Sequence, residues 1–286
     1  MKWLQEVKEL FGLDVATEVA TPEHVEAALK AGMDYLWIGA RSSATPIVVQ
    51  SLADSVCDSI SGISDLKGIL IKNPVNEDAE LWLGNIERLA KTGVPVIAVH
   101  RGCGHQPCWA MAHKVRLAQP DIPMLLDPSH MSGDAAKVPE LMAKVAELGL
   151  DGAMIEVHYN PSEALSDAKQ QVKPADISLQ LSEFEKLHAE NAKQNAIELN
   201  WLRAEIDELD ATLWDTIAAR MEVSKRIGEW KTSNGVAPLQ PERYQEIVER
   251  IKSPHPTSPE RGGELRTEFK LAWWELIHEE SLRQQE

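Results

Sequence analysis

The sequence has no long hydrophobic run, a deficit of basic residues and only three cysteines. Its 286 residues include 29 lysines and arginines against 45 aspartates and glutamates, a formal net charge of −16. No run of about eighteen apolar residues occurs, which argues against a membrane span, and the first residues lack the apolar centre of a secretory signal, so we expect a cytoplasmic protein. The acidic balance argues against nucleic acid, although a locally basic site for small anions remains compatible with it.

The three cysteines do not form a disulfide framework. Cys57 lies in a helix-like stretch and is predicted to be a core residue. Cys103 and Cys108 flank His105, but no fourth ligand lies nearby at a zinc-type spacing. The pattern therefore favours reduced thiols in a loop over a metal cluster.

Up to about residue 170, short apolar and β-branched runs alternate with amphipathic helical stretches, and the chain opens with a helix at 2–11. The six candidate strands are 14–20, 35–40, 68–72, 94–100, 123–127 and 152–158. Thr21 followed by Pro22 is the N-cap pattern of a helix, which Gly32 ends. Strands that alternate with helices predict a parallel sheet with helical crossovers.

Each candidate strand ends on, or close to, a charged or ionisable side chain. These residues are Glu18, Arg41, Lys72, Arg101, His130 and Glu156. The carboxyl ends of the strands of a (β/α)₈ barrel meet at one mouth, where catalytic residues lie. Single charges at strand ends are usually just solvated, but a charge at all six favours a shared site. Since a closed barrel needs eight strands, the predicted fold is α/β, an incomplete TIM-type (β/α) barrel.

After about residue 172 the pattern becomes helical and contains no further strand candidate. A long helical stretch reaches Lys231, a second helix begins at Pro241, and a last one follows a proline-rich loop at 253–259. This tail is predicted to be a separate all-α, three-helix domain. The predicted boundaries are 1–188 for the barrel and 189–286 for the helical domain.

Seven phrases follow the strand ends in a fixed order. They are Thr17-Glu18-Val19, Ile38-Gly39-Ala40-Arg41, Ile71-Lys72-Asn73-Pro74, His100-Arg101-Gly102, Asp127-Pro128-Ser129-His130, Glu156-Val157-His158 and Leu165-Ser166-Asp167-Ala168-Lys169-Gln170. As a set they resemble the short microbial 3-deoxy-D-arabino-heptulosonate 7-phosphate (DAHP) synthases. That family joins phosphoenolpyruvate to erythrose 4-phosphate with the help of a divalent metal.

The resemblance implies a role for each of these side chains. The implied ligands of the phosphate and carboxylate of phosphoenolpyruvate are the cationic residues Arg41, Lys72 and Arg101. The implied metal ligands are His130, Glu156 and Asp167, a mixed nitrogen and oxygen set that suits Mn²⁺ or a similar ion. The metal would polarise the aldehyde carbonyl of erythrose 4-phosphate, and Asp127 would contact the hydroxyls of that substrate.

The resemblance has a gap at its start. In the family the first strand carries a Gly-Pro-Cys phrase with a metal-binding cysteine, and the second a Lys-Pro-Arg phrase that binds both substrates. Neither phrase exists here, and Met1 corresponds to a point inside the second barrel helix. We therefore expect an opened barrel that does not complete synthase turnover alone. A longer gene product, a separate chain that supplies the strands, a fully bifunctional enzyme and a non-catalytic regulatory scaffold remain open alternatives.

The helical tail carries cations at helical spacing. Arg220 and Lys231 are eleven residues, or about three turns, apart, so they share one helix face. Two phrases are specific: Leu202-Arg203-Ala204-Glu205-Ile206-Asp207-Glu208-Leu209-Asp210 and Ile277-His278-Glu279-Glu280-Ser281-Leu282-Arg283-Gln284-Gln285. With Arg220 and Lys231 they resemble the all-helical chorismate mutases over nearly the whole tail. Fusion of this domain behind a DAHP synthase is a known arrangement of the family.

The rearrangement of chorismate to prephenate needs no cofactor. It needs a dianion held in its compact conformer and stabilisation of the charge that develops on the ether oxygen. The residues implied by the resemblance are Arg203, Arg220, Lys231, Arg243, Ser281 and Gln285. Arg220, together with Arg203 from a partner subunit, would hold the carboxylates, and Lys231 and Gln285 would donate to the ether oxygen.

Two positions depart from many relatives, which place an aspartate and a glutamate against the substrate hydroxyl. Gln240 and Tyr244 stand there in this chain, and Glu246 lies one turn along, so reduced activity is one expectation. Arg226 and Arg250 are interpreted as solvated surface charges.

The tail is also predicted to form a homodimer. Three helices of this length cannot bury their apolar stripes in one small monomer. The tryptophans predicted to pack inside the domain or at the dimer interface are Trp214, Trp230, Trp273 and Trp274.

Overall fold

The computed structural model describes residues 1–60, 66–177, 196–252 and 265–285. The chain divides into two compact units, Met1–Glu208 and Leu209–Glu286. The boundary predicted at residue 188 and the proline-rich loop at 253–259 lie outside the described residues. Within those residues, no helix is both long and apolar enough to cross a membrane.

Six parallel strands form one sheet in the first unit, and their order in the sheet follows the chain. They are β1 Ala16–Glu18, β2 Tyr35–Ile38, β3 Gly68–Lys72, β4 Val96–His100, β5 Met124–Leu126 and β6 Gly152–Ala153. In register, Leu36 lies beside Ile69 and Leu70 beside Ile97. This architecture confirms the predicted incomplete TIM-type barrel. All five residues of β3 are buried, as expected when helices cover a parallel sheet.

Helices connect the strands in a regular alternation. They are α1 Lys2–Phe11, α2 Pro22–Lys30, α3 Ala40–Ser43, α4 Pro46–Ile60, α5 Ala79–Ala90, α6 Trp109–Ala118, α7 Pro128–Ser132 and α8 Val138–Glu147, with short 3₁₀ turns at Ala135–Lys137 and Pro161–Glu163. The Thr21 side chain accepts a hydrogen bond from the backbone N–H of His24, which is the N-cap that the sequence predicts.

The hydrophobic core fills the space between the sheet and these helices. Its largest fully buried side chains include Leu36, Ile38, Ile69, Ile71, Trp82, Leu89 and Leu126. Helix α4 buries Leu52 and Val56 but leaves Cys57 exposed, so the prediction that Cys57 is a core residue is wrong. Cys57 follows Val56 on the helix and is turned by about 100° towards solvent.

The loop between β4 and α6 contains a disulfide between Cys103 and Cys108, whose Cα atoms are 6.0 Å apart. This corrects the prediction of two reduced thiols. The backbone N–H of Cys103 donates to the carbonyl of Gln106 at 2.9 Å, and the reverse bond measures 3.1 Å. The tight turn therefore brings both ends of the loop within disulfide reach, a closure that sequence spacing alone did not indicate.

The long helix α9, Ile197–Ser233, begins within the first unit. Trp201 is fully buried there and donates from Nε1 to the carbonyl of Leu148 at 3.0 Å. The carboxylate of Glu208 accepts the backbone N–H groups of Cys108 and, at 2.7 Å, Trp109. These N–H groups begin α6, where a negative charge is favourable. The first turns of α9 are thus part of the packing of the barrel.

The second unit contains the rest of α9, helix α10 at Pro241–Lys252 and helix α11 at Thr267–Arg283. The all-helical prediction is confirmed. Few of its side chains are buried, and Ser224 and Ser281 are among them. Its most exposed large apolar side chains, at 61–67% exposure, are Leu209, Trp214, Trp230 and Leu276.

Candidate active sites

The carboxyl ends of the strands open into one cavity of about 620 Å³ in the first unit. The sequence-predicted residues in its lining are Glu18, Arg41, Lys72, Arg101, His130, Glu156 and Asp167. Asp127 lies beneath this lining and is almost fully buried. The structure therefore gathers every barrel residue that the sequence singled out at one mouth.

Lys72 and Asp127 form a buried ion pair at the base of the cavity. The Lys72 Nζ atom donates to Asp127 Oδ2 at 2.7 Å and lies 4.9 Å from the centre of the Trp37 ring. Burial raises the pKa of Asp127, but the hydrogen bond from His130 and the charge of Lys72 outweigh it, so that the pKa is lowered. Asp127 is consequently a carboxylate at neutral pH.

Arg101 follows β4 and is positioned by Asn73 at the end of β3. The buried Asn73 side chain accepts the backbone N–H of Arg101 at 2.7 Å and donates to the carbonyl of Gly102 at 2.9 Å. Burial lowers the pKa of Arg101, and the charge of Asp127 opposes this effect. Among the described residues, the buried Nη1 of Arg101 has no hydrogen-bond partner. An orphaned guanidinium N–H at a cavity wall is chemically suited to an anionic ligand.

His130 lies in the first turn of α7, which begins within the Asp127-Pro128-Ser129-His130 phrase. Asp127 caps α7, accepting the backbone N–H of His130 at 3.0 Å, and Pro128 occupies the first helical position. The His130 Nδ1 atom lies 2.9 Å from Asp127 Oδ2, and Nε2 lies 3.4 Å from Glu156 Oε1. A carboxylate behind one ring nitrogen orients the other nitrogen for a metal.

His130 and Glu156 supply the nitrogen and oxygen donor types that an ion of the Mn²⁺ class accepts. Asp167 lines the same cavity. No group of three His, Cys, Asp or Glu side chains within the ranges given above is arranged to hold a metal ion. The second oxygen of Glu156 is instead held by Gln170 Nε2 at 2.8 Å.

His105 is a cavity residue that sequence reasoning weighed only as a zinc ligand. It lines the cavity from the disulfide-closed loop, and its ring packs on the backbone of Gly133. A Cβ atom at Gly133 would lie 2.6 Å from that ring, and its φ of 61° is a conformation that favours glycine. The signal available in the sequence was the position of His105 four residues after Arg101.

In the second unit, Arg220 on α9 contacts α11. Its Nη1 donates to the hydroxyl of Ser281 and lies 3.5 Å from the carbonyl of Ile277, to which that hydroxyl donates at 2.7 Å. The guanidinium carbon lies 5.4 Å from the centre of the Trp274 ring. Burial lowers the pKa of Arg220, although a guanidinium keeps its charge in proteins.

Lys231 makes a second contact of α9, with Gln285 just beyond the end of α11. Its Nζ lies 3.2 Å from Gln285 Oε1 and also donates to the carbonyl of Pro238. Gly228 lets the end of α11 approach, because a Cβ atom there would lie 2.7 Å from the Cα atom of Gln285. The sequence signal for this role was a glycine inside a helix, where it costs about 1 kcal/mol relative to alanine.

Two predicted residues take no part in these contacts. Arg243 on α10 is exposed, and its Nη1 pairs with Glu246 Oε2 at 2.9 Å on the same helix. Arg203 is exposed on the part of α9 that belongs to the first unit. The structure thus gathers Arg220, Ser281, Lys231 and Gln285 where α9 meets α11 and its end, without Arg203 or Arg243.

The fold and the mouth of charged residues define the class of the protein: an enzyme-type parallel (β/α) barrel, followed by an all-helical domain with cations between its helices. Residues 1–194 match the DAHP synthetase I family, so the chain belongs to that family, and residues 202–286 match chorismate mutase type II. The chain is a fusion of a DAHP synthase-type domain and a chorismate mutase domain.

Individual relatives resemble one domain each. A 2-dehydro-3-deoxyphosphooctonate aldolase of Helicobacter pylori (strain Shi470) is 24% identical over 194 residues, covering 62% of this chain and 70% of that protein. An intracellular chorismate mutase of Mycolicibacterium smegmatis is 45% identical over 53 residues, 18% of this chain and 51% of that protein.

A solved structure supports the fold of the first domain. The crystal structure of the phospho-2-dehydro-3-deoxyheptonate aldolase (DAHP synthase) from Thermotoga maritima matches with a TM-score of 0.56 at 23% identity. The match covers 70% of this chain and 55% of that one. The chain therefore spans about half the length of both the mutase and the Thermotoga protein that it matches.

Proposed function

We propose that the helical domain is a chorismate mutase that converts chorismate to prephenate. The observation that carries the proposal is the pair of contacts between α9 and α11, Arg220 with Ser281 and Lys231 with Gln285. The match of residues 202–286 to chorismate mutase type II supports the same assignment. A cytoplasmic location stays a prediction from the sequence.

The reaction breaks one C–O bond and forms one C–C bond within a single molecule. The protein therefore has to fix the reactive conformer and stabilise charge, without a nucleophile or a proton donor. Arg220 binds a substrate carboxylate, with Ser281 holding the guanidinium. Lys231 and Gln285 donate to the ether oxygen: because the Gln285 carbonyl oxygen faces Lys231, its amide N–H groups remain for the substrate.

We propose that two copies of the chain complete the mutase site, with Arg203 supplied by the partner subunit. Exposed apolar side chains support the dimer, since Trp214 and Trp230 are each more than 60% exposed in one chain. Val223, Ile227 and Trp230 line one open surface pocket of α9, and exposed apolar patches mark protein interaction sites. Arg243, paired with Glu246, keeps a peripheral role near the mouth of the site.

The variant Lys231→Met tests the mutase assignment. It removes the ammonium but keeps most of the stem, and we expect prephenate formation to fall by about a hundredfold or more, as when one charge-stabilising donor is lost. The control is Lys225→Met on the same helix, because Lys225 is exposed. Equal activity of the two variants would refute the assignment of Lys231.

For the barrel, we propose phosphoenolpyruvate binding without complete synthase turnover. Arg41, Lys72 and Arg101 bind the phosphate and carboxylate, and the orphaned Nη1 of Arg101 supports this assignment. The six described strands, against the eight of a closed barrel, support the lack of turnover. A fully bifunctional synthase–mutase and a regulatory scaffold are the alternatives.

We further propose that His130, Glu156 and Asp167 hold a divalent ion of the Mn²⁺ type. When bound, that ion supplies a Lewis acid that polarises the carbonyl of erythrose 4-phosphate. Asp127 orients His130 through Nδ1 at 2.9 Å, and we assign it to the hydroxyls of that substrate.

Mn²⁺ titration followed by electron paramagnetic resonance separates these alternatives. Our proposal expects stoichiometric Mn²⁺ binding that is lost in His130→Ala and kept in the exposed control His24→Ala, with no DAHP formed. Formation of DAHP would establish the bifunctional enzyme instead. Absence of both metal and phosphoenolpyruvate binding would favour the scaffold.

A further inference from the structure

His278 of α11 has no role in the site described so far, and its ring contacts Tyr244 of α10. The His278 ring stacks on Trp274, with centroids 5.4 Å apart at 24°, and is tilted against Tyr244, with centroids 5.0 Å apart. Trp274 also contacts the guanidinium of Arg220, whose carbon lies 5.4 Å from the ring centre. Tyr244, His278, Trp274 and Arg220 therefore form one continuous stack.

His278 faces the cations of the proposed site. It lies three residues before Ser281, so these two share one face of α11, and Gln285 follows just beyond the end of that helix. Ser281 contacts Arg220, and Gln285 contacts Lys231. The hydroxyl of Ser281 and the imidazole of His278 on this face, with the amide just past the helix end, therefore lie near two positive charges.

Two ring nitrogens in this stack are buried without a partner. Among the described residues, neither His278 Nε2 nor Trp274 Nε1 has a hydrogen-bond partner. Buried polar atoms nearly always have a hydrogen-bond partner, and one without a partner is destabilising. Both atoms can donate, and a ligand oxygen held by Arg220 would satisfy them.

The charges around the ring depend on whether a ligand is bound. Burial lowers the pKa of His278, the positive charges of Arg220 and Lys231 lower it further, and Glu279 opposes them. Tyr244 is the titratable group that α10 presents to the ring. A dianion bound to Arg220 and Lys231 would cancel their repulsion, so the pKa of His278 would rise on binding.

We propose that His278 is a substrate-binding residue of the mutase site, which takes up one proton from solvent as the dicarboxylate binds and donates it, through Nε2, in a hydrogen bond to a ligand oxygen. The proton returns to solvent when the product leaves, so none is consumed. This inference rests on the proposed mutase function and extends it to the linkage between binding and pH.

Calorimetry of the whole chain with prephenate, in two buffers of different ionisation enthalpy at pH 6.5, measures the proton uptake. We expect a clear fractional uptake by the wild type, its loss in His278→Gln, and wild-type uptake in the control His24→Gln. The mutase kcat/KM of the wild type should also rise about threefold or more from pH 8 to pH 6, because one unit of pKa change corresponds to a tenfold change in affinity. The His278→Gln profile should be flat.

The possible outcomes distinguish the role of His278 from the proposed mutase function. A wild type that forms prephenate but takes up no proton refutes the role of His278 and leaves the mutase function intact. Identical pH profiles of wild type and His278→Gln refute it as well. If His278→Gln does not fold, His278→Asn replaces it, and wild-type proton uptake in that folded variant refutes the role of His278. A chain that forms no prephenate refutes the proposed function itself.

Discussion

The two domains hold their charged side chains on different scaffolds. At the barrel mouth, Lys72 and Asp127 are a buried pair 2.7 Å apart, fixed at the ends of two strands in one sheet. In the helical domain, Arg220 and Lys231 lie along one helix and are held by side chains of α11, while large apolar residues such as Trp214 remain exposed. The barrel site is therefore prearranged by sheet packing. The helical site depends on helix packing and, as we propose, on a second copy of the chain.

The largest effect should come from breaking the buried pair of the barrel. Lys72→Met leaves the Asp127 carboxylate buried without its cation, and we expect the free energy of unfolding of the first unit to fall by about 3–5 kcal/mol. The control is Lys114→Met, whose ion pair with Glu80 is exposed and worth less than about 1 kcal/mol. Urea unfolding measures both. Equal losses would contradict a prearranged barrel site.

The matching change in the helical domain is Arg220→Ala. We expect mutase kcat/KM to fall by about a thousandfold, because the variant removes the cation that we propose binds a substrate carboxylate. The exposed Arg226→Ala on the same helix is the control and should stay within a few-fold of wild type. Retained turnover in a folded Arg220→Ala chain would refute the site.

We expect the buried His100 to make the free energy of unfolding of the barrel depend on pH. This ring is fully buried, donates from Nε2 to the carbonyl of Pro107 at 2.6 Å, and has its pKa lowered by burial to about 4. The unfolded imidazole gains a proton below about pH 6.5, whereas the folded one stays neutral down to about pH 4. The stabilisation is therefore complete above pH 6.5 and is lost as the pH falls to 4, about 3 kcal/mol in all.

Urea unfolding between pH 4.5 and 7.5 measures this loss. His100→Gln keeps a donor for the carbonyl of Pro107 but does not titrate, so its unfolding free energy should depend less on pH in that range. A variant with the wild-type slope would show that another group is responsible.

The smallest effect is expected from Gly228→Ala. The added Cβ atom would lie 2.7 Å from the Cα atom of Gln285, so α11 has to shift and the contact between Lys231 and Gln285 loosens. We expect mutase kcat to fall about tenfold, since misplacement of a binding group by about 1 Å is costly. Gly84→Ala in α5 is the control, because its Cβ would meet only the mobile end of Arg88. Unchanged kcat would contradict a site built by close helix packing.

The sequence predicted the barrel mouth well because parallel strands leave their carboxyl ends on one edge. The strand at 68–72 matches β3 in full, since it is a continuous apolar run that ends on Lys72. Arg41, Arg101 and Glu156 could be placed at the same mouth from strand ends alone. The depth of burial of Asp127 could not, because it depends on packing between several strands.

The features that the sequence missed all depend on contacts between distant segments. Glu208 accepts a hydrogen bond from the start of α6, which lies about a hundred residues earlier in the sequence. The ring contact of Tyr244 with His278 joins two helices. Cys57 was misplaced because a helical pattern gives the period but not which face is buried. The Cys103–Cys108 disulfide depends on a tight turn that spacing does not reveal.

The most direct test of the central claim mixes two inactive variants. We expect Arg203→Ala and Arg220→Ala to be inactive separately, whereas mixed dimers place one intact Arg203 beside one intact Arg220. Refolded together in equal amounts, they should recover about a quarter of wild-type prephenate formation, since half of the dimers are mixed and each has one complete site. A mixture that stays inactive, or an Arg203→Ala variant as active as the wild type, would contradict the account.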